Sequence, residues 1–162
     1  MTHNDVLIRL RYALDINNPK IVELFSLAGY AIERSLLEGI FKREDEDGFI
    51  DCDDRLAGLF LEGLIISRRG PPPKAAPAPR GPLTNNEILK RIRIALELKD
   101  EDLVAIMALA GVEVSKGEIN ALFRKKDSEK YRPCGDQFLR NFLAGLTKKY
   151  RGSGGLIGKN SG

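Results

Sequence analysis

The stretch "NDVLIRLRYALDI" (residues 4–16) returns later in the chain as "NEILKRIRIALEL" (residues 86–98), and that recurrence decides the fold. Shifted by 82 positions, residues 2–70 lie over residues 84–152 without a gap, with 21 identities among 69 pairs. "LAGYAIERSLLEGIFKR" (27–43) falls on "LAGVEVSKGEINALFRK" (109–125), and "CDDRLAGLFLEGL" (52–64) on "CGDQFLRNFLAGL" (134–146). Most other pairs exchange one apolar residue for another. Chance does not sustain an ungapped match of that length, so the chain is two copies of one unit.

Within each copy the apolar residues recur at helical spacing, and nothing alternates with the period of a strand. Thr84 and Glu87 have the spacing of a capping box, which predicts a first helix from about Asn86 to Leu98. Asn18 before Pro19, and Asp100 in the second copy, are expected to cap a second helix. Gly29 and Gly111 are placed to end it, because glycine accepts the left-handed conformation past a helix terminus. Ser115 and Glu118 repeat the capping-box spacing for a third helix reaching about Lys125. A fourth helix starts near Asp54 or Asp136. Four short helices, twice, predict an all-α fold.

The expected organisation is a unit over 2–70, a Pro-rich linker over 71–83, a second unit over 84–152 and a flexible glycine-rich tail over 153–162. The linker follows from "PPPKAAPAPRGP", because proline lacks a backbone donor and favours extended chain. Gly63 and Gly145 sit at matching positions inside the fourth helices, where glycine costs about 1 kcal/mol relative to alanine. Close approach of another helix is the packing reason for them. A unit of about 69 residues is marginal as a lone core, which favours docking of the copies or dimerisation.

The chain has 162 residues, 43% hydrophobic and 30% charged, the profile of a soluble globular protein. No apolar run approaches the roughly 20 residues of a membrane span, and "MTHNDVLIRLR" lacks the apolar segment of a signal peptide. A cytoplasmic location is therefore expected. Two cysteines, Cys52 and Cys134, are too few for a disulfide framework. The single histidine, His3, leaves no imidazole for a Cys–His pair, a Ser–His–Asp triad or a histidine-rich zinc site inside the fold. No glycine-rich phosphate loop occurs. Binding rather than catalysis is expected, with no cofactor.

"KREDEDGFIDCDD" (42–54) resembles a calcium loop. With Gly48 at loop position six, Asp45, Asp47, Asp51 and Asp54 fall at three, five, nine and twelve. Position one is then Arg43, a cation where the first carboxylate belongs, and position twelve lacks the longer Glu. The second copy places Lys125 and Lys130 at positions one and six. A solvated acidic loop whose last acids cap the fourth helix is the better expectation, and no metal site is assigned. Cys52 and Cys134 precede the fourth helices, where a helix N-terminus can activate a thiol; packing is the simpler role. Arg9 with Asp5, and Arg91 with Glu87, have favourable i,i+4 spacing. Arg11 and Arg93 face elsewhere, toward phosphate or solvent.

The net charge of +3 hides opposite halves: residues 1–70 carry 9 basic and 13 acidic side chains, residues 84–152 carry 14 and 10. Lys116, Arg124, Lys125, Lys126, Lys130 and Arg132 gather around the third helix of the second copy and its following loop. They are the candidate nucleic-acid contacts, since "EDLVAIMALAGVEVSKGEINALFRKK" resembles a repressor-type helix-turn-helix. Its turn is about two residues too long, and Lys116, Glu118 and Asn120 are a sparse set for reading bases. The leading expectation is a regulatory or scaffold module that binds a protein partner or its own copy, with nucleic acid second. The first predicts an exposed apolar patch; the second predicts a basic surface with Arg124 to Lys126 projecting outward.

With the repeat laid out, the chain resembles the bacterial YehS family, catalogued as domain of unknown function 1456. "NDVLIRLRYALDI", "LTNNEILKRIRIALELKDED", "LAGV", "CGDQFLRNFLAGLTKKYRG" and the Pro-rich joint carry the resemblance, which covers residues 2–152. It implies a bacterial cytoplasmic protein of two related helical units, and it supplies no activity, cofactor or catalytic residue.

Overall fold

Eight α-helices and no strand occupy the residues that the computed structural model describes, 1–71 and 82–152. The first copy contributes α1 (His3–Leu14), α2 (Asn18–Leu27), α3 (Arg34–Ile40) and α4 (Asp54–Arg69). The second contributes α5 (Asn85–Leu96), α6 (Asp100–Leu109), α7 (Lys116–Leu122) and α8 (Asp136–Arg151). The fold is all-α with tandem copies, as the repeat predicts. Most of the linker expectation, residues 72–81, and the tail over 153–162 lie outside the described residues.

Side-chain caps set most helix starts. Thr2 accepts the Asp5 N–H while Asp5 accepts the Thr2 N–H, a complete capping box on α1. Ser115 and Glu118 form the same box on α7. Thr84 accepts the Glu87 N–H and caps α5 at Asn85, one residue ahead of the expected start. The second helices also shift by one: Asn17, not Asn18, caps α2 by accepting the Lys20 N–H. In the second copy Lys99 holds the cap position, and its N–H donates to Asp102. Asn18 and Asp100 are instead the first helical residues. Gly29 and Gly111 take positive φ, +84° and +82°, and turn the chain after α2 and α6. α7 ends at Leu122, short of the expected Lys125, so Arg124 to Lys126 lie in the loop beyond it.

α2 packs on α4, and α6 packs on α8. At both crossings a glycine meets backbone: a Cβ on Gly63 would collide with the Leu24 carbonyl, and one on Gly145 with the Ile106 carbonyl. The helical glycines are therefore packing devices. The copies differ in filling, since Phe25 packs edge-on to Phe60 with ring centroids 6.0 Å apart, whereas Met107 replaces Phe25 in the second copy.

The main helix pairs across the repeat join different copies. α1 lies along α8, and α4 along α5, whereas α1 touches α4 and α5 touches α8 only lightly. The arrangement is a pseudo-twofold, because adding or subtracting 82 turns one pair into the other. Buried residues from both copies form one continuous core. Each first helix thus finds its hydrophobic cover mostly in the other copy, which resolves the marginal size of a lone unit.

The paired helices run parallel, and polar contacts mark both ends. At one end the N-terminal ammonium of Met1 binds Asp136 at 2.7 Å. Asp54 matches it, held by His3. At the other end Arg69 on α4 donates to the Ile94 carbonyl at 3.4 Å and pairs with Glu97 at 3.3 Å, both at the end of α5. Arg151 on α8 repeats the contact on α1, donating to the Tyr12 carbonyl at 3.0 Å beside Asp15. These arginines meet the C-terminal carbonyls of the partner helices, where a cation is favoured.

Candidate functional site

The described surface has a strongly basic edge along α7 and the loop from Phe123 to the start of α8. Arg124, Lys125, Lys126, Lys130 and Arg132 are all exposed, and none of their side chains has an ion pair or hydrogen bond among the described residues. Lys116 is different: it leans 3.4 Å from Glu101 on α6 and is partly neutralised there. Of the six candidates, five are exposed cations unpaired among the described residues and one is paired. Asp127, Glu129 and Glu118 are interspersed. Glu118 is held below the usual carboxylate range, first by its hydrogen bonds with Ser115 and also by the nearby Arg132 charge.

A shallow depression of about 630 Å³ opens at this edge, lined by Asn120, Phe123, Arg124, Lys125, Asp127 and Ser128. The loop around it is built. Ser128 N–H donates to the Lys125 carbonyl at 2.9 Å, and Tyr131 N–H donates to the Ser128 carbonyl at 3.1 Å. Arg132 N–H donates to Ala121 and its carbonyl accepts from Asn86. The cations project from a fixed frame. The matched loop of the first copy carries Glu44, Asp45, Glu46 and Asp47 instead, so the feature is confined to one copy.

The frame hangs on a residue that sequence reasoning passed over. Asn86 donates its amide to the Leu122 and Arg132 carbonyls and accepts the Cys134 N–H at 2.8 Å. Asn4 does the same for Ile40, Ile50 and Cys52, with all three bonds at 2.9 Å. Each asparagine ties the first turn of its first helix to the end of the third helix and the approach to the fourth. The signal was present in the repeat, where both copies have Asn at this position.

Several candidates for other chemistry resolve into structural roles. In the acidic loop Gly48 has φ +87° and the Lys42 ammonium donates to the Asp47 carbonyl at 2.7 Å, so a side-chain cation occupies the inside of the turn. Asp53 caps α4 by accepting the Leu56 N–H at 2.8 Å. Among the described residues no three His, Cys, Asp or Glu side chains converge as metal ligands would. Burial pushes the Cys52 thiol up to about 12, helped by the Asp53, Asp51 and Asp54 charges. Burial and Asp136 push Cys134 up to about 12 as well. Both thiols therefore stay protonated and inert at neutral pH.

The repeated arginines divide. Arg91 lies 3.7 Å from Glu87 as the spacing predicts, while Arg9 and Asp5 form no ion pair among the described residues. Arg93 stacks over Phe123 at 4.6 Å and donates to Asp100 at 2.8 Å, turned inward rather than toward a partner. Asp54 and Asp136 are both held below the usual range. His3 hydrogen bonding is the main cause for Asp54, and the N-terminal ammonium for Asp136.

Comparison with known proteins agrees with the geometry of the repeat. Residues 3–70 and 85–152 each match the family described as "Protein of unknown function (DUF1456)". A protein of Escherichia coli (strain K12) described as "Uncharacterized protein YehS" is 40% identical over 151 residues, spanning 92% of this chain and 96% of that protein. No solved structure matches.

Proposed function

The chain belongs to the DUF1456 family, which brings no activity with it, and from its surface we propose a non-catalytic binding protein whose working face is the basic edge of the second copy. Its partner is acidic, and a nucleic-acid backbone fits best. The observation that carries this is the set Arg124, Lys125, Lys126, Lys130 and Arg132, exposed and, among the described residues, unpaired on the loop after α7. Phosphate neutralisation by such cations is the sequence-independent part of nucleic-acid binding.

Two observations shape the proposal. α7 is seven residues long and follows a six-residue connection from α6, whereas helix-turn-helix readers join their helices by a three- or four-residue turn. The binding mode is therefore contact with phosphates by the loop, not insertion of α7 into a groove. The docking of the copies also buries apolar faces of α1, α4, α5 and α8 against one another. Six large apolar side chains, each 39–44% exposed, remain among the described residues.

A regulatory or scaffold role through a protein partner is the second reading. The exposure of Leu27 and, at the matched position, Leu109 favours it. The buried, protonated thiols fit a role that does not use them as nucleophiles.

Fluorescence anisotropy of labelled random duplex DNA and single-stranded RNA tests the proposal. If about four phosphates are neutralised, the log–log slope of affinity against salt is about −3.6 for duplex DNA. Changing Lys125 and Lys126 to Glu should weaken binding and flatten that slope by about 2. Flat traces at low salt remove the nucleic-acid reading and send the search to the Leu27 and Leu109 surface.

A further inference from the structure

The two far ends of the pseudo-twofold junction are built alike but neutralised differently. At the second-copy end, Arg93 stacks over Phe123 and is closed off by Asp100 at 2.8 Å and the Leu98 carbonyl at 3.0 Å. Its neighbour Arg69 is paired with Glu97 at 3.3 Å. At the first-copy end, Arg11 stacks over Phe41 at 5.1 Å, but Asn18 stands where Asp100 would be. Among the described residues the Arg11 guanidinium has neither hydrogen bond nor ion pair. Arg151 stacks on Tyr12 at 4.2 Å and lies 3.5 Å from the exposed Asp15. Among the described residues its Nε is shielded from water and has no acceptor.

These groups line one groove of about 480 Å³, with Ile8 and Ile16 among its apolar lining. Asn17 borders it too, and its side-chain oxygen is already used in capping α2 while its amide has no acceptor among the described residues. We propose that this groove is a binding site for a small organic carboxylate. Guanidinium groups recognise planar carboxylates through paired N–H donors. Two arginines against the one Asp15 carboxylate leave a single positive charge, which suits a monoanion over a phosphate dianion. The apolar lining takes the body of the ligand. The site is separate from the basic edge and does not depend on that reading.

The matched copy supplies the decisive variant. Asn18→Asp places at the first-copy end the carboxylate that already closes the second, at an exposed first helical position where an acid suits the helix. The probe is sodium benzoate, titrated into ¹⁵N-labelled protein while the arginine Nε–H resonances are followed, with sodium phosphate and sodium chloride in parallel. The expected result is saturable movement of the Arg11 and Arg151 signals with benzoate and none at Arg93. Affinity should fall about tenfold in Asn18→Asp, the scale of a new ion pair at partly exposed distance, and Arg11→Gln should lose it as well. Absence of saturation, equal movement with chloride, or unchanged affinity in Asn18→Asp overturns the site. Tighter binding of phosphate than of benzoate overturns the carboxylate assignment.

Discussion

Gly63 on α4 lies directly against the carbonyl of Leu24 on α2, so closely that a Cβ would fall on the carbonyl oxygen. The obstacle is backbone, which cannot swing away as a side-chain tip can. Gly145 meets Ile106 in the same way. Alanine is the better helix former, so on propensity alone Gly63→Ala gains about 1 kcal/mol. Overpacking outweighs this, and a net loss of about 2 kcal/mol is expected at either site. Urea denaturation followed by circular dichroism measures it. A neutral or stabilising alanine at both sites contradicts the close-approach account.

Asn4 makes a second test. It is 2% exposed and serves three backbone groups from two segments. Asn4→Ala orphans two carbonyls and one N–H, at about 1–3 kcal/mol for each group that stays buried. A total loss of about 3 kcal/mol is expected, less for the more exposed Asn86. Asn4→Asp separates shape from chemistry: it keeps the acceptor for the Cys52 N–H but sets a charge against the Ile40 and Ile50 carbonyls. It should therefore destabilise at least as much as alanine at neutral pH, and recover part of the loss when acidified. An aspartate that unfolds at the wild-type urea concentration would show that the bonds carry little.

The helices, their count and the role of Gly63 were legible in the sequence because local signals set them: capping residues, glycine stops and apolar spacing. Boundaries slipped where two residues competed, as when Asn17 took the cap from Asn18. What stayed hidden was non-local. Nothing in either copy says that α1 is covered by α8, because an apolar face does not name its partner. The clasp of Arg69 on Ile94 and Arg151 on Tyr12 depends on that pairing. The basic edge was legible as a charge cluster, but only the fold separated Lys116, paired with Glu101, from the five cations that are unpaired among the described residues. The missing acid at Arg11 is visible from sequence only once Asp100 is seen to bind Arg93.

The buried thiols predict both reactivity and pH dependence. With Cys52 and Cys134 raised from 9.0 to about 12, a thiol reagent at pH 8 should leave the folded protein almost unmodified. It should label both cysteines after unfolding. The folded values lie above the unfolded one, so the folded state holds its protons longer. The stability this represents is fully present below about pH 9 and is lost as pH rises toward 12. The double variant Cys52→Ala/Cys134→Ala removes this limb, and its denaturation midpoint should vary less between pH 8 and pH 10.5 than that of the wild type. Rapid labelling of the native protein at pH 8 would show that the thiols are not held as described.

Docking of the copies leads to the last expectation, that each half is incomplete alone. Residues 1–71 expressed separately present α1 and α4 without α8 and α5, and residues 82–152 present the complementary faces. Each should show loose tertiary packing or self-associate, because the pseudo-twofold lets a second copy of the same half stand in for its partner. Mixed, they should form a one-to-one complex in light scattering and recover cooperative unfolding. Their opposite net charges, 9 basic against 13 acidic and, over 84–152, 14 against 10, favour the mixed pair over either self-pair. Raising salt should therefore weaken the preference for the mixed complex while leaving its apolar core in place. Changing Arg69 and Arg151 to Ala removes both end clasps and should speed dissociation. Two halves that each unfold cooperatively as monomers and ignore one another when mixed would contradict the continuous core.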